Sequence, residues 1–270
     1  MKVIVSHDID HLSVTDHFKD LILPKFLIRN FIELITGHLS KKEFFDRFFK
    51  LFLNKWQNIK EIHAFNLKNG VKETFFIGVN NGKGLSYSFK KARKWIEFFH
   101  ENKIQVGVHG INYRNYEDIT IEFEKFKSII KDVDFGIRMH YLRTNESTFK
   151  NLSAVGYMYD SSLMMIKDVY KIGNMYEFPL HIMDGVVCGN RKFSDVSIEE
   201  AKLRTINIIQ KAKEEQVQYL TVLFHDRYFD DSFSLWKDWY IWLIKFLKDQ
   251  GFEFISYVDA IKEIESNECK

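Results

Sequence analysis

The chain has 270 residues, enough to bury one substantial hydrophobic core as a single domain over residues 1–270. Apolar residues at 46% and charged residues at 28% argue against a disordered chain. A formal net charge of +2, with no dense basic block interleaved with aromatics, excludes nucleic acid as the expected partner.

Reading in chain order, a β-rich run at residues 3–6 opens the sequence. No basic leader with an apolar core and small-residue cleavage site precedes it, and no run is long enough to span a bilayer, so the cytoplasm is the expected location. Residues 15–67 are too long for one crossover and predict two or three helices inserted after the first strand. Ser40-Lys41-Lys42-Glu43 is a capping-box pattern that starts one of them. Within that helix Phe44, Phe45, Phe48, Phe49, Leu51 and Phe52 form an apolar stripe, which the helix-face rule assigns to the core.

Further strands are predicted at residues 73–79, 104–108, 135–139, 175–180, 219–224 and 252–256. Helical spacing covers residues 90–101, 121–130 and 236–248, and Ser197-Ile198-Glu199-Glu200 is a second capping box. Strands alternating with helices predict an α/β fold: a distorted (β/α) barrel of about seven parallel strands with a helical insertion after the first. Cys188 and Cys269 are far apart in the sequence and read as free thiols in a reducing compartment.

The polar residues fall at strand ends. His7-Asp8-Ile9-Asp10-His11 closes the first strand, His109-Gly110-Ile111-Asn112-Tyr113 the third, Arg138-Met139-His140-Tyr141 the fourth, and His225-Asp226-Arg227 a late one. In a parallel barrel the carboxyl ends of the strands share one face, so these groups are expected to converge. Carboxylate plus imidazole is a ligand set suited to zinc or a similar divalent ion. Two acids spaced Asp-x-Asp can divide the labour, one holding the metal and the other taking a proton from water. Taken singly, each residue has a plainer role, as a helix cap, a turn or a hydrogen-bonded structural histidine. Asp8-Ile9-Asp10 near the N-terminus also fits a haloacid-dehalogenase-type phosphatase. That reading leaves His109, His140 and His225 idle and lacks the Ser or Thr expected after the second strand, which ends Gly78-Val79-Asn80. A glycosyltransferase Asp-x-Asp fits less well, for want of a nucleotide-binding half.

With those residues in place, the sequence resembles the polysaccharide deacetylase (NodB-homology) superfamily over most of its length outside residues 15–67. His7-Asp8-Ile9-Asp10 is similar to the branch whose first motif has one residue between its acids, which implies Asp8 as general base and Asp10 as metal ligand. Glu73-Thr74-Phe75-Phe76-Ile77-Gly78 resembles that family's A-T-F-F strand, and Val106-Gly107-Val108-His109 the strand carrying its first metal-binding histidine. Arg138-Met139-His140-Tyr141 stands where the family has R-x-P-Y, implying that Arg138 orients the base and that the Tyr141 backbone N–H serves the oxyanion. The stretch from Gly156 through Tyr157 and Asp160 to Ser162 resembles a pocket-lining G-Y-x-x-D-x-S segment, which places Asp160 at the pocket. Leu223-Phe224-His225 resembles L-x-H, with Leu223 packing on the acyl methyl and His225 as general acid, helped by Asp184.

Two departures set the questions for the structure. Tyr113 occupies the position of the family's second metal-binding histidine, and His140 replaces the Pro of R-x-P-Y. We expect His140 to restore a third ligand beside Asp10 and His109, with His7 and His11 as weaker substitutes and Tyr113 left to touch substrate. Arg143 is expected as a solvated surface residue, with an anionic substrate as its alternative role. The resemblance implies a metal-dependent hydrolase, most naturally a zinc enzyme, that removes an N-acyl group, normally acetyl, from an amino sugar. The expected setting is surface polysaccharide or O-antigen precursor synthesis, with the sugar carried on a nucleotide, a lipid or an oligosaccharide. The alternative is a degenerate homologue that only binds carbohydrate.

Overall fold

A computed structural model describes residues 1–130, 134–189 and 196–268. Cys269 lies outside the described residues. Among the described residues ten strands make one sheet: β1 (Lys2–Ile9), β2 (Glu73–Ile77), β3 (Gln105–Gly110), β4 (Ile137–Met139), β5 (Tyr159–Asp160), β6 (Tyr170–Ile172), β7 (Met175–Glu177), β8 (Ile182–Met183), β9 (Tyr219–Leu223) and β10 (Glu253–Phe254). The α-helices of the described residues are α1 (Ile22–Ile35), α2 (Lys41–Phe52), α3 (Ile59–Asn69), α4 (Phe89–Glu101), α5 (Tyr116–Ile130), α6 (Thr148–Val155), α7 (Asp184–Val187), α8 (Ile198–Glu214), α9 (Ser234–Asp249) and α10 (Tyr257–Glu268).

The strand order is β6-β7-β5-β4-β3-β2-β1-β9-β8, with β10 paired to the start of β1. Every pairing is parallel except β6 with β7. The sheet curls into a half-barrel, the expected α/β class and distorted barrel. Strands β1 to β5 are laid down side by side in one direction. A doubly wound nucleotide-binding sheet instead reverses direction after its first strands, so the phosphatase reading loses its scaffold. About seven strands were expected; β5, β6 and β8, of two or three residues each, are the ones outside the predicted runs. Central β1 is buried over its last seven residues, and Val3, Val5 and Ile9 join the core with Phe75, Ile77, Val108 and Val222.

The insertion after β1 comprises a 3-10 turn (Val14–His17) and then α1, α2 and α3. The Ser40 hydroxyl accepts the Glu43 N–H at 3.2 Å and the Glu43 carboxylate accepts the Ser40 N–H at 3.2 Å, closing the predicted capping box that starts α2. Gly70, at φ 73°, ends α3 in the left-handed conformation.

The phenylalanine stripe of α2 contradicts the core assignment. Phe45, Phe48, Phe49 and Phe52 are 54%, 41%, 62% and 74% exposed. The face turned inward is polar: Arg47 is buried and donates from Nη1 to Asn30 at 2.9 Å and Glu33 at 3.1 Å of α1, and from Nε to the Ser232 carbonyl at 2.7 Å. Helical periodicity locates an apolar face, and here a buried ion-paired network takes the inside position.

Candidate active site

Parallel pairing brings the carboxyl ends of β1, β3, β4 and β9 to one rim, where Asp8, Asp10, His109, His140 and His225 meet. Register places His109 directly beside Arg138. Alternation along β1 sends His7 to the opposite face, where its Nδ1 bonds the Phe224 carbonyl at 2.8 Å and its Nε2 meets Asn66 at 3.0 Å and Glu73 at 3.2 Å.

Three donors form a tight triangle. Asp10 Oδ1 lies 3.2 Å from His109 Nε2 and 3.2 Å from His140 Nδ1, and the two imidazole nitrogens are 2.9 Å apart. The second nitrogen of each ring is committed to backbone: His109 Nδ1 donates to the Arg138 carbonyl at 3.0 Å, and His140 Nε2 to the Lys83 carbonyl at 3.2 Å. With those protons placed, both inward nitrogens present lone pairs to each other and to a carboxylate, an arrangement that a shared cation stabilises. A tetrahedral zinc with ligand bonds of about 2.0–2.1 Å spaces its ligands by roughly 3.3 Å, so the triangle fits such an ion and leaves a fourth position open.

The Lys83 carbonyl reaches His140 through a tight hairpin. Gly82 and Leu85 exchange both backbone hydrogen bonds, at 3.0 and 2.9 Å, and the two residues between them sit at φ 44° and 94°. Gly84 is required there: its φ is left-handed, and a Cβ would lie 3.0 Å from the Ile22 side chain.

Asp8 is buried beside the triangle, its Oδ2 3.9 Å from His109 Nδ1, and its Oδ1 accepts from Arg138 Nη1 at 3.0 Å. Arg138 is wholly buried. Its Nη1 also donates to the Ser6 hydroxyl at 2.8 Å, its Nη2 to Ser161 Oγ at 3.0 Å and Tyr257 OH at 2.8 Å, and its Nε to the Ser161 carbonyl at 2.9 Å. Every direction of the guanidinium fork is held, which fixes the Asp8 carboxylate by a charge-assisted hydrogen bond.

His225 faces the triangle from the β9 side, with Nε2 3.7 Å from Asp10 Oδ2. Its Nδ1 donates to buried Asp184 at 2.9 Å, and the same carboxylate accepts the His225 backbone N–H at 2.7 Å. Burial opposes a proton on the ring, but the Asp184 carboxylate outweighs it and holds the imidazole well above its ordinary value. A protonated ring oriented by a carboxylate and set beside Asp10 is placed to deliver a proton.

The remaining candidates are placed as follows. Tyr141, at φ 59° and largely exposed, lines the pocket beside His140. Tyr113 lies with Arg114, at 3.2 Å, and under the Arg143 guanidinium, outside the triangle. Arg143 is half-buried and donates to the His140 carbonyl at 3.2 Å. Asp160 is fully buried and accepts from Ser162 through Oγ at 2.6 Å and N–H at 3.1 Å. Leu223 is buried within β9. His11 stacks on Trp56, its Nδ1 2.9 Å from His17 Nε2.

Several site residues escaped the sequence reading. Tyr257 and Ser6 have no motif to mark them, and Lys83 acts through its carbonyl, which any residue supplies. The turn-rich run Asn80-Asn81-Gly82-Lys83-Gly84 does signal the hairpin itself. The pocket beside Asp10 and His140, of about 200 Å³, is walled by Ile22, Phe26 and Asn30 of α1 together with Arg227 and Tyr228.

No family model matches the sequence, and no curated protein matches it. The fold is that of a solved structure from Mycobacterium smegmatis, a polysaccharide deacetylase by assignment: TM-score 0.52 at 14% identity, covering 94% of this chain and 92% of that one. A peptidoglycan N-acetylglucosamine deacetylase bound to an N-hydroxybenzamide-type compound aligns with TM-score 0.45 at 12% identity, over 95% of this chain and 86% of its own. A CE4 family pseudoenzyme from Bacillus anthracis aligns with TM-score 0.47 at 11% identity, over 96% and 64%.

Proposed function

We propose that the chain is a metal-dependent hydrolase that removes an N-acyl group, normally acetyl, from an amino sugar in the making of a surface polysaccharide. The observation that carries this reading is the Asp10, His109 and His140 triangle, whose two histidine protons are tied to backbone carbonyls so that both free nitrogens point inward. A buried acid on one side and an Asp-paired histidine on the other complete the set.

Asp10, His109 and His140 would hold a divalent ion, most naturally zinc. Such an ion supplies Lewis acidity that polarises a carbonyl oxygen and makes water more acidic. The protein's own groups then divide the proton traffic. Asp8, fixed by Arg138, accepts the proton of the attacking water as its oxygen bonds to the amide carbon. His225, charged and oriented by Asp184, delivers its proton to the nitrogen as the carbon–nitrogen bond breaks, so a carboxylic acid and a free amine leave. Tyr141, on the turn after His140, offers its backbone N–H to the carbonyl oxygen. The one-carboxylate, one-imidazole division suits an amide, whose nitrogen must be protonated to depart.

Release of acetate from an N-acetylated hexosamine oligosaccharide tests this reading. Release that stops on chelation and returns with added zinc supports it. Release that is indifferent to chelation refutes it.

A further inference from the structure

We propose that the outer face of α1 and α2 docks on an anionic lipid bilayer, holding the active-site pocket at the membrane surface. The two helices are amphipathic in the reverse of the usual sense. The buried residues of α1 are Asn30 and Glu33, and the buried residue of α2 is Arg47. Ile28, Phe31 and Ile35 of α1, and Phe45, Phe49 and Phe52 of α2, stand more than half exposed. More than half of the large exposed apolar side chains among the described residues fall within residues 18–53. Water-facing helices ordinarily turn such residues to the core, and an exposed apolar patch of this kind marks a binding surface.

Charge identifies the occupant. Within residues 18–55 the exposed charged residues are all basic: Lys19, Lys25, Arg29, Lys41, Lys42 and Lys55, of which Arg29, Lys42 and Lys55 pair with Glu33, Asp46 and Glu61, and Lys25 and Arg29 also border the pocket. The acids of the same stretch, Asp20, Glu33, Glu43 and Asp46, are buried or half-buried. An apolar face of Phe and Ile edged by lysines matches a bilayer whose head groups are negative, with the rings entering the acyl boundary and the ammonium groups remaining among the phosphates. A second copy of the chain fits worse, because a two-fold contact through this face would set the same lysines against one another. No helix among the described residues is long and apolar enough to cross a membrane, so the pair would lie on the surface.

The placement has a consequence for substrate, which rests on the reaction proposed above. The opposite side of α1 supplies Ile22, Phe26 and Asn30 to the pocket that holds Asp10 and His140. One helix, about 10 Å across, therefore separates the lipid-facing surface from the site, a distance suited to an acylated amino sugar carried on a membrane lipid.

Co-sedimentation of the full chain with vesicles tests the docking without reference to turnover, so its failure and failure of the hydrolase reading are separate results. Vesicles of phosphatidylcholine with phosphatidylglycerol should carry the protein down, and vesicles of phosphatidylcholine alone should do so at least about tenfold less. A Phe45→Ser/Phe49→Ser variant should keep its melting temperature, since both rings are exposed in water, and partition about tenfold or more weakly. Lys41→Glu/Lys42→Glu should weaken binding to the anionic vesicles by a similar factor. No sedimentation with anionic vesicles would overturn the proposal. Equal binding to both vesicle types, or variants that bind as wild type does, would overturn it as well. A dimer in solution that the phenylalanine variant dissolves, with no vesicle binding, would assign the face to a second copy instead.

Discussion

His140 Nδ1 faces His109 Nε2 at 2.9 Å while the far nitrogen of each ring is bound to a backbone carbonyl. His140 thus stands as a third donor where Tyr113 occupies the expected histidine position. On this geometry His140→Ala should weaken zinc binding by more than about 100-fold, a larger effect than loss of an outer-shell partner, whereas Tyr113→Phe should leave it unchanged. Competition with a chromophoric chelator measures both. Equal affinities for the two variants would remove His140 from the ligand set.

The buried acid at the site is assigned to proton transfer and not to coordination. Asp8→Asn should therefore lower kcat by about 10²–10⁴-fold while zinc content stays at the wild-type level. Loss of zinc together with activity would make Asp8 a ligand; retention of both would remove it from the chemistry.

Arg138 illustrates how a functional residue is also structural. Its guanidinium satisfies Asp8, Ser6, Ser161 and Tyr257 in a fully buried space. Arg138→Ala leaves a buried carboxylate without its counter-ion and should cost about 3–5 kcal/mol in unfolding free energy. Tyr257→Phe removes one hydrogen bond and should cost about 1 kcal/mol. Urea titration separates the two, and near-equal costs would show that the ion pair is not what holds the arginine.

How legible this was depended on the physical signal each residue leaves in the sequence. Asp8, Asp10, His109, Arg138 and His225 could be gathered because long parallel strands are recognisable and their polar ends share a rim. The α/β class followed from the same alternation. Strands β5, β6 and β8 went unread because, unlike the equally short β4, β7 and β10, none of them lies within a recognised β-rich run. Tyr257 and Ser6 reach Arg138 across the sheet, a juxtaposition that only the tertiary fold creates. The phenylalanines of α2 misled for a different reason. Spacing shows that Phe45, Phe48, Phe49 and Phe52 share a face, and is silent on whether protein or something else covers it.

On the opposite face of the sheet, Glu73 makes a pH-dependent contribution to stability. Burial opposes its charge, but His63 at 2.5 Å, His7 and Asn66 hold its carboxyl down from the ordinary 4.5 to about 2. A carboxyl lowered in the folded state stabilises above its unfolded pKa and loses that contribution as pH falls from about 4.5 toward about 2. Glu73→Gln should therefore cost about 3 kcal/mol at pH 7, with the gap to wild type narrowing below about pH 4.5. A gap constant across that range would contradict the assignment.

The most direct test of the central claim is calorimetric titration of metal-stripped protein with zinc, run in parallel on wild type and on His140→Ala. The account predicts about one equivalent bound by wild type, with weak or absent binding in the variant. Wild-type protein that takes up less than about a tenth of an equivalent would contradict it, and would leave Asp10, His109 and His140 as a hydrogen-bonded cluster without a metal.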